Sequence, residues 1–143
     1  MNDQWKLSVS RSFKASPADV WDALTNPEKI KIYLFGTETI SEWKVGRPIV
    51  FRGEWEGKAY EDKGTILEIE KEKILKYSYW SNFSGLPDLP ENYVMITYQL
   101  APVPGGVLFT VTQDNFKSKD AFDHSTQNWN LVMDTMRGML EKP

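Results

Sequence analysis

From residue 36 to about residue 114 the chain is a succession of short stretches in which apolar side chains recur at every second position, and over residues 119–141 that period changes to a helical one. Alternation with period two marks strands with one buried face. Ile49, Phe51 and Trp55 lie opposite Arg52, Glu54 and Glu56. Leu75, Tyr77 and Tyr79 share a face, as do Ile96, Tyr98 and Leu100, and Phe109, Val111 and Gln113 oppose Thr110 and Thr112. The stretch 59–70 reads as one long strand, with Gly64 marking a bulge. Between these stretches stand Lys44–Pro48, Glu56-Gly57-Lys58, Lys71-Glu72-Lys73 and Pro102–Gly106, all with turn chemistry. Strands in sequence joined by short turns predict an antiparallel meander.

Before the meander, residues 4–14 place Trp5, Leu7 and Val9 on one side and predict a first strand. Ser16-Pro17-Ala18-Asp19 then supplies an N-cap, a proline at the first helical position and an acid in the first turn, predicting a helix to about Leu24. Asn26-Pro27-Glu28 repeats the start signal and predicts a second short helix over 27–34. After the meander, Phe122, Trp129, Met133, Met136 and Leu140 fall at helical spacings, with Asp120 and Asp123 early and Arg137 and Lys142 late, as the helix dipole favours. The expected order is strand, two short helices, a run of strands and one long helix, with six to seven strands in all. The sequence has no internal repeat and no linker, so residues 1–143 are expected to form one α+β domain. A chain of this length buries roughly 68% of its unfolded surface, enough for a true core.

Several function classes are excluded by residue types. The formal net charge is −3 and lysines and arginines do not cluster, which argues against nucleic acid as a partner. With no cysteine and a single histidine, His124, thiolate chemistry, disulfides and a multi-histidine zinc site are ruled out, and no cofactor is expected. Apolar runs do not exceed four residues, as at Ile32–Phe35, so no membrane insertion is expected. The first residues lack a signal-peptide pattern. A cytoplasmic monomer is the expectation.

The order of elements, with local sequence, resembles the helix-grip fold of the START-like, or SRPBCC, superfamily. The resemblance is closest to the branch named for the activator of heat-shock-protein-90 ATPase, homologue-like. It is carried by Ser16–Glu28 for the first helical pair and Trp43-Lys44-Val45-Gly46 before the next strand. Gly64–Ile69, Leu75–Tyr79 and Gly105–Phe116 match successive strands, and Trp129, Leu131, Val132, Met136 and Leu140 match the closing helix. The resemblance implies a curved antiparallel sheet around a long C-terminal helix, with a cavity between them. It departs at Gln113, a position often held by histidine in the family, so an acid–base role attached to that histidine does not transfer.

On that fold, the six Trp, six Tyr and seven Phe matter by where they fall. Phe51, Trp55, Tyr77, Tyr79, Tyr98 and Phe109 are expected on the concave face, with Trp129, Met133 and Met136 facing them and Gln113 nearby. A wall of rings with a few polar tips suits an apolar ligand; the plain alternative for the same residues is a filled hydrophobic core. The irregular segment 81–92, with Phe83, Leu86 and Leu89, is expected to close over the cavity mouth or to serve as an ordinary connection. His124 reads as a surface residue, and Glu54, Glu56, Glu61 and Asp62 as an exposed acidic hairpin. No phosphate loop or nucleophile elbow is present. The expected function is non-enzymatic binding of a hydrophobic or aromatic, lipid-like small molecule. The alternatives are a chaperone-interacting stress-response module and a cyclase- or dehydratase-type enzyme using Gln113, Tyr79 or Tyr98.

Overall fold

Each element starts where its sequence signal stands. In the computed structural model, which describes residues 6–81 and 85–141 and not the side chain of Trp55, strand β1 (Leu7–Phe13) leads into helices α1 (Pro17–Thr25) and α2 (Pro27–Tyr33). Trp5 and Lys142 lie outside the described residues. The Ser16 hydroxyl accepts from the Asp19 N–H at 3.1 Å and starts α1. Asn26 serves both helices. Its N–H donates to the Asp22 carbonyl at 2.9 Å, closing α1, while its side chain accepts from the Glu28 N–H at 3.1 Å, opening α2. One asparagine at a shared cap fixes the bend between two short helices.

Strands β2 (Glu38–Ser41), β3 (Pro48–Trp55), β4 (Lys58–Glu70), β5 (Ile74–Tyr79), β6 (Val94–Val103) and β7 (Gly106–Gln113) follow, and helix α3 (Lys119–Leu140) ends the chain. Among the described residues the seven strands form one antiparallel sheet in the order β1-β7-β6-β5-β4-β3-β2. The turn between β3 and β4 uses Glu56 and Gly57 at φ 49 and 79, so both central residues are left-handed and the hairpin closes with Trp55 opposite Lys58. The turn after β6 is tighter than its sequence suggests. Val103 pairs with Gly106, which leaves only Pro104 and Gly105 outside the ladder. The four-residue β2 is too short to show a period of its own.

Gly64 has a different role from the expected bulge. The register break lies further on, between Ile66 and Glu68. A Cβ on Gly64 would stand 1.6 Å from the Ser78 carbonyl oxygen, so glycine is required by backbone-to-backbone contact where β4 crosses β5.

The concave face carries Ile49, Phe51, Ile66, Leu75, Tyr77, Ile96, Tyr98, Val107, Phe109 and Val111, and α3 lays Trp129, Val132, Met133 and Met136 into the same core. Polar contacts fix α3 along β1. Arg11 pairs with Asp134, its Nη2 donates to Asn130 Oδ1 at 3.2 Å, and Arg137 Nη2 donates to the Ser12 carbonyl at 3.1 Å. Helices α1 and α2 cover the remainder of the concave face, beside the free edge formed by β2. This is the helix-grip arrangement expected from the order of elements.

Candidate functional site

The interior begins as a chain of rings. Strand alternation sets Phe51, Tyr77, Tyr98 and Phe109 on the concave face of four strands, Tyr77, Tyr98 and Phe109 at diagonal and not directly paired positions. Their centroids are 5.8 Å apart from Phe51 to Tyr77, 5.6 Å from Tyr77 to Tyr98 and 5.5 Å from Tyr98 to Phe109. Trp129 meets Tyr98 edge-on at 5.8 Å. These are the separations of directly packed aromatic pairs. The sequence-derived set is therefore brought together, but the rings close on one another. Met133 and Met136 are fully buried on α3 and fill the space beneath it.

A small, partly open space of about 10 Å³ lies beside this core, between α2 with Trp43 and the sheet. Leu24, Ile30, Tyr33, Leu34 and Trp43 bound it on one side and Ile49, Phe51, Leu75, Tyr77 and Tyr98 on the other. Of the expected cavity residues, Phe51, Tyr77 and Tyr98 stand on its wall, whereas Phe109, Trp129, Met133 and Met136 belong to the packed core behind it. The side chain of Trp55 and all of Phe83 lie outside the described residues. Leu86 is half-buried, its carbonyl accepting from Trp80 Nε1 at 3.2 Å, and Leu89 is exposed. Neither touches this space, because Lys63–Asp88 and the Tyr93 to Asp88 bond at 2.6 Å hold their loop elsewhere.

Polar atoms are sparse and specifically placed. The Tyr77 and Tyr98 hydroxyls bond to each other at 2.7 Å. Tyr33 lines the same space at 3% exposure, and its hydroxyl has no hydrogen-bond partner among the described residues. Burial raises all three phenols. Tyr98 is pushed up to about 12 by burial, against the lowering effect of its bond with Tyr77, and Tyr33 and Tyr77 stand well above the ordinary tyrosine value, with the charge of Tyr98 adding to burial. All three are neutral at physiological pH. Gln113, expected as a polar tip, is engaged by Trp129, whose Nε1 donates to its Oε1 at 2.9 Å. Tyr79 donates to Asp62 Oδ2 at 2.5 Å, and burial followed by that carboxylate raises its phenol.

Three residues were not foreseen. Asp62 is 7% exposed, not part of an exposed acidic hairpin, because its pairing with Phe51 turns it to the concave face. That pairing is readable only once the Glu56-Gly57 turn fixes the register. Tyr33 sits in a short helix with too few turns to show which face is buried. Trp43 adopts a left-handed backbone, φ 56, in a connecting segment, and covers the space from outside the regular elements. Its only sequence signal is a large ring beside a turn. His124 is exposed on α3, and Glu54 and Glu56 are exposed at the hairpin.

A second, open groove of about 840 Å³ lies along the free edge, lined by Lys31, Glu38, Arg52, Glu54, Tyr60 and Glu61 among others. Three carboxylates, a lysine and an arginine stand on its lining, so it lacks the character of an apolar ligand site. No helix among the described residues is long and apolar enough to cross a membrane.

Residues 14–141 match the model of the family described as "Activator of Hsp90 ATPase homolog 1-like protein". The solution structure of ChR145 from Cytophaga hutchinsonii is 45% identical, with a TM-score of 0.86 over 99% of this chain and 97% of that one. CalU16 from Micromonospora echinospora is 20% identical, with a TM-score of 0.74 over 96% of this chain and 76% of that one. The Aha1 dimer from Colwellia psychrerythraea is 18% identical, with a TM-score of 0.75 over 95% and 96%. The last two likenesses are of fold. No functionally curated protein matches the chain.

Proposed function

The chain belongs to the activator of Hsp90 ATPase homolog 1-like family, and from that premise we propose that it binds a small, largely apolar molecule, lipid-like or aromatic, between its sheet and helices without transforming it. The observation that carries this reading is the small space left between α2 with Trp43 and the sheet, walled by Leu24, Ile30, Leu34, Ile49 and Leu75 together with the rings of Tyr33, Phe51, Tyr77 and Tyr98. An apolar lining with a few phenolic tips suits an apolar guest. The lining holds no carboxylate, imidazole or amine, so it offers no general base at neutral pH, which favours binding over catalysis.

A drug-sized guest needs roughly 300–1,000 Å³, so binding requires the cover to move. The cover is α2 with the segment to Trp43. It is bracketed by left-handed residues, Phe35 at φ 55 and Gly36 at φ 100 on one side of β2 and Trp43 at φ 56 on the other. A seven-residue helix has little stability of its own and depends on its packing. In this reading Phe51, Tyr77 and Tyr98 form the wall, Phe109, Trp129, Met133 and Met136 the floor, and α2 with Trp43 takes the closing role expected of the 81–92 loop. Amide shifts recorded during titration with naphthalene, phenanthrene and a short fatty acid test it. Saturable shifts at Tyr33, Trp43, Phe51, Tyr77 and Tyr98 are expected, and their absence for every probe overturns the reading.

A second reading, a chaperone-interacting module, is favoured by one observation. Ile32 and Phe35, three residues apart at the end of α2, are 55% and 59% exposed. Titration with a heat-shock-protein-90 chaperone is expected to broaden these two residues first if the surface is the functional one.

A further inference from the structure

The open groove along the free edge and the small space under α2 share no lining residue, yet they are neighbours on two elements. On β3, Phe51 lines the space, and Gly53, two positions on and so on the same side of the strand, lines the groove. At the end of α2, Leu34 lines the space and Gly36 the groove. Next in the chain stands Thr37, buried at 7% exposure. Its hydroxyl donates to the Leu34 carbonyl at 2.9 Å, which uses its one proton, so across the 2.5 Å contact with Tyr60 the phenol is the donor. Tyr60 lines the groove. A relay of two hydrogen bonds therefore joins a residue on the wall of the space to a residue on the wall of the groove. Gly53 makes the relay possible. It pairs with Tyr60, and a Cβ on it would lie 2.7 Å from the Tyr60 hydroxyl oxygen and 3.0 Å from Cζ, so the ring crosses β3 where a side chain is missing.

We propose that the Tyr60–Thr37–Leu34 relay is a tie that closes the guest's way in, which runs from the groove past the C-terminal end of α2 to the rings of Phe51 and Tyr77. This inference rests on the small-molecule reading and adds to it the route and the bond that controls it. The groove, at about 840 Å³, has the room for a guest that the closed space lacks. The two ends of α2 are held differently. Its start is fixed by Asn26, which caps it while closing α1. Past its end the chain turns through left-handed Phe35 and Gly36 and is tied to β4 by Thr37. Parting Thr37 from Tyr60 frees the end of α2 and leaves its start in place, which removes what separates the groove from the space. The tie adds one neutral hydrogen bond to the packing of Ile30 and Tyr33 that also favours the closed arrangement.

The test removes the tie without touching the wall of the space. Tyr60→Phe, Thr37→Val and Gly53→Ala each break the Tyr60–Thr37 bond through a different atom, and Thr37→Ser keeps the hydroxyl as a control. The first readout is native-state amide hydrogen exchange of the free protein at Leu34, Gly36 and Thr37, whose N–H groups are bonded within this segment. In the unmodified protein these amides are expected to exchange through a local opening, with less protection than β6 and β7. The three variants are expected to speed them roughly two- to tenfold, the equivalent of one neutral hydrogen bond. The second readout is amide-shift titration with naphthalene and with phenanthrene. Apparent affinity scales with the open fraction, so Kd is expected to fall by the same factor in the three variants and to stay unchanged in Thr37→Ser. Should Gly53→Ala not fold, the other two variants decide. Unchanged exchange at the three amides in Tyr60→Phe and Thr37→Val, or protection equal to that of β6 and β7, overturns the tie. Faster exchange with an unchanged or weaker Kd overturns the route while leaving the small-molecule reading in place. No binding of either probe to any of these proteins overturns both the route and that reading.

Discussion

Replacing Met133 with alanine tests whether the space under α3 is filled or hollow. Met133 is fully buried in the core shared by α3 and the concave face. The substitution removes three heavy atoms beyond Cβ, worth ~2.4 kcal/mol in transfer free energy at ~0.8 kcal/mol per buried group. A rigid ring-lined surround collapses only partly, so a cavity term adds to this and the total falls at ~3–5 kcal/mol, the upper part of the range for such truncations. For a domain of this size that corresponds to a fall in Tm of roughly 6–20 °C. Urea unfolding followed by tryptophan fluorescence, with the slope unchanged, gives the value directly. If α3 instead roofed a hollow, the methionine would have few partners and the loss would stay under ~1 kcal/mol, which would refute the placement of the residual space beneath α2 and Trp43.

Three further outcomes follow from the same contacts. Gly64→Ala places a methyl where the Ser78 carbonyl stands, so a loss at or beyond the ~1–3 kcal/mol of ordinary overpacking is expected, read as Tm or as failure to fold. Gln113→Leu strands the Trp129 N–H and is expected to cost ~1–3 kcal/mol in urea melts, whereas Gln113→His, which restores an acceptor, costs less. Tyr33, Tyr77, Tyr79 and Tyr98 have folded-state pKa values raised above the unfolded one, so their contribution is fully present below pH ~10 and is lost as pH rises through the folded values, about 12 for Tyr98. Phenolate absorbance for these four is expected to appear only together with unfolding between pH ~10 and ~12; four independent titrations near 10 with native circular dichroism intact would contradict their burial.

The fold was legible because its signals are local and agree with one another. Capping at Ser16 and Asn26, the Glu56-Gly57 turn and the helical period of Phe122 to Leu140 each point to one element, and their order admits one layering. Which face each strand buries was also legible, so Phe51, Tyr77, Tyr98 and Phe109 could be grouped before any coordinate was known. What sequence could not show is how far apart facing rings stand. Alternation says that Tyr98 and Trp129 point toward the same interior; whether 5.8 Å or a ligand separates them depends on sheet curvature and on how deeply α3 settles. Asp62 was misplaced for a related reason. A carboxylate beside a charged hairpin reads as solvated, and only its register opposite Phe51 and its bond from Tyr79 show that it is buried and hydrogen-bonded.

The closed interior also sets the thermodynamics of any guest. If the open form of α2 and Trp43 makes up a fraction f of the population, the apparent affinity is the intrinsic one reduced by f. A cover held by Ile30 and Tyr33, both nearly fully buried, keeps f small in the free protein. A guest therefore has to stabilise the open arrangement by at least as much as the packing of Ile30 and Tyr33 stabilises the closed one, so substitutions that loosen α2 without touching the wall are expected to raise apparent affinity.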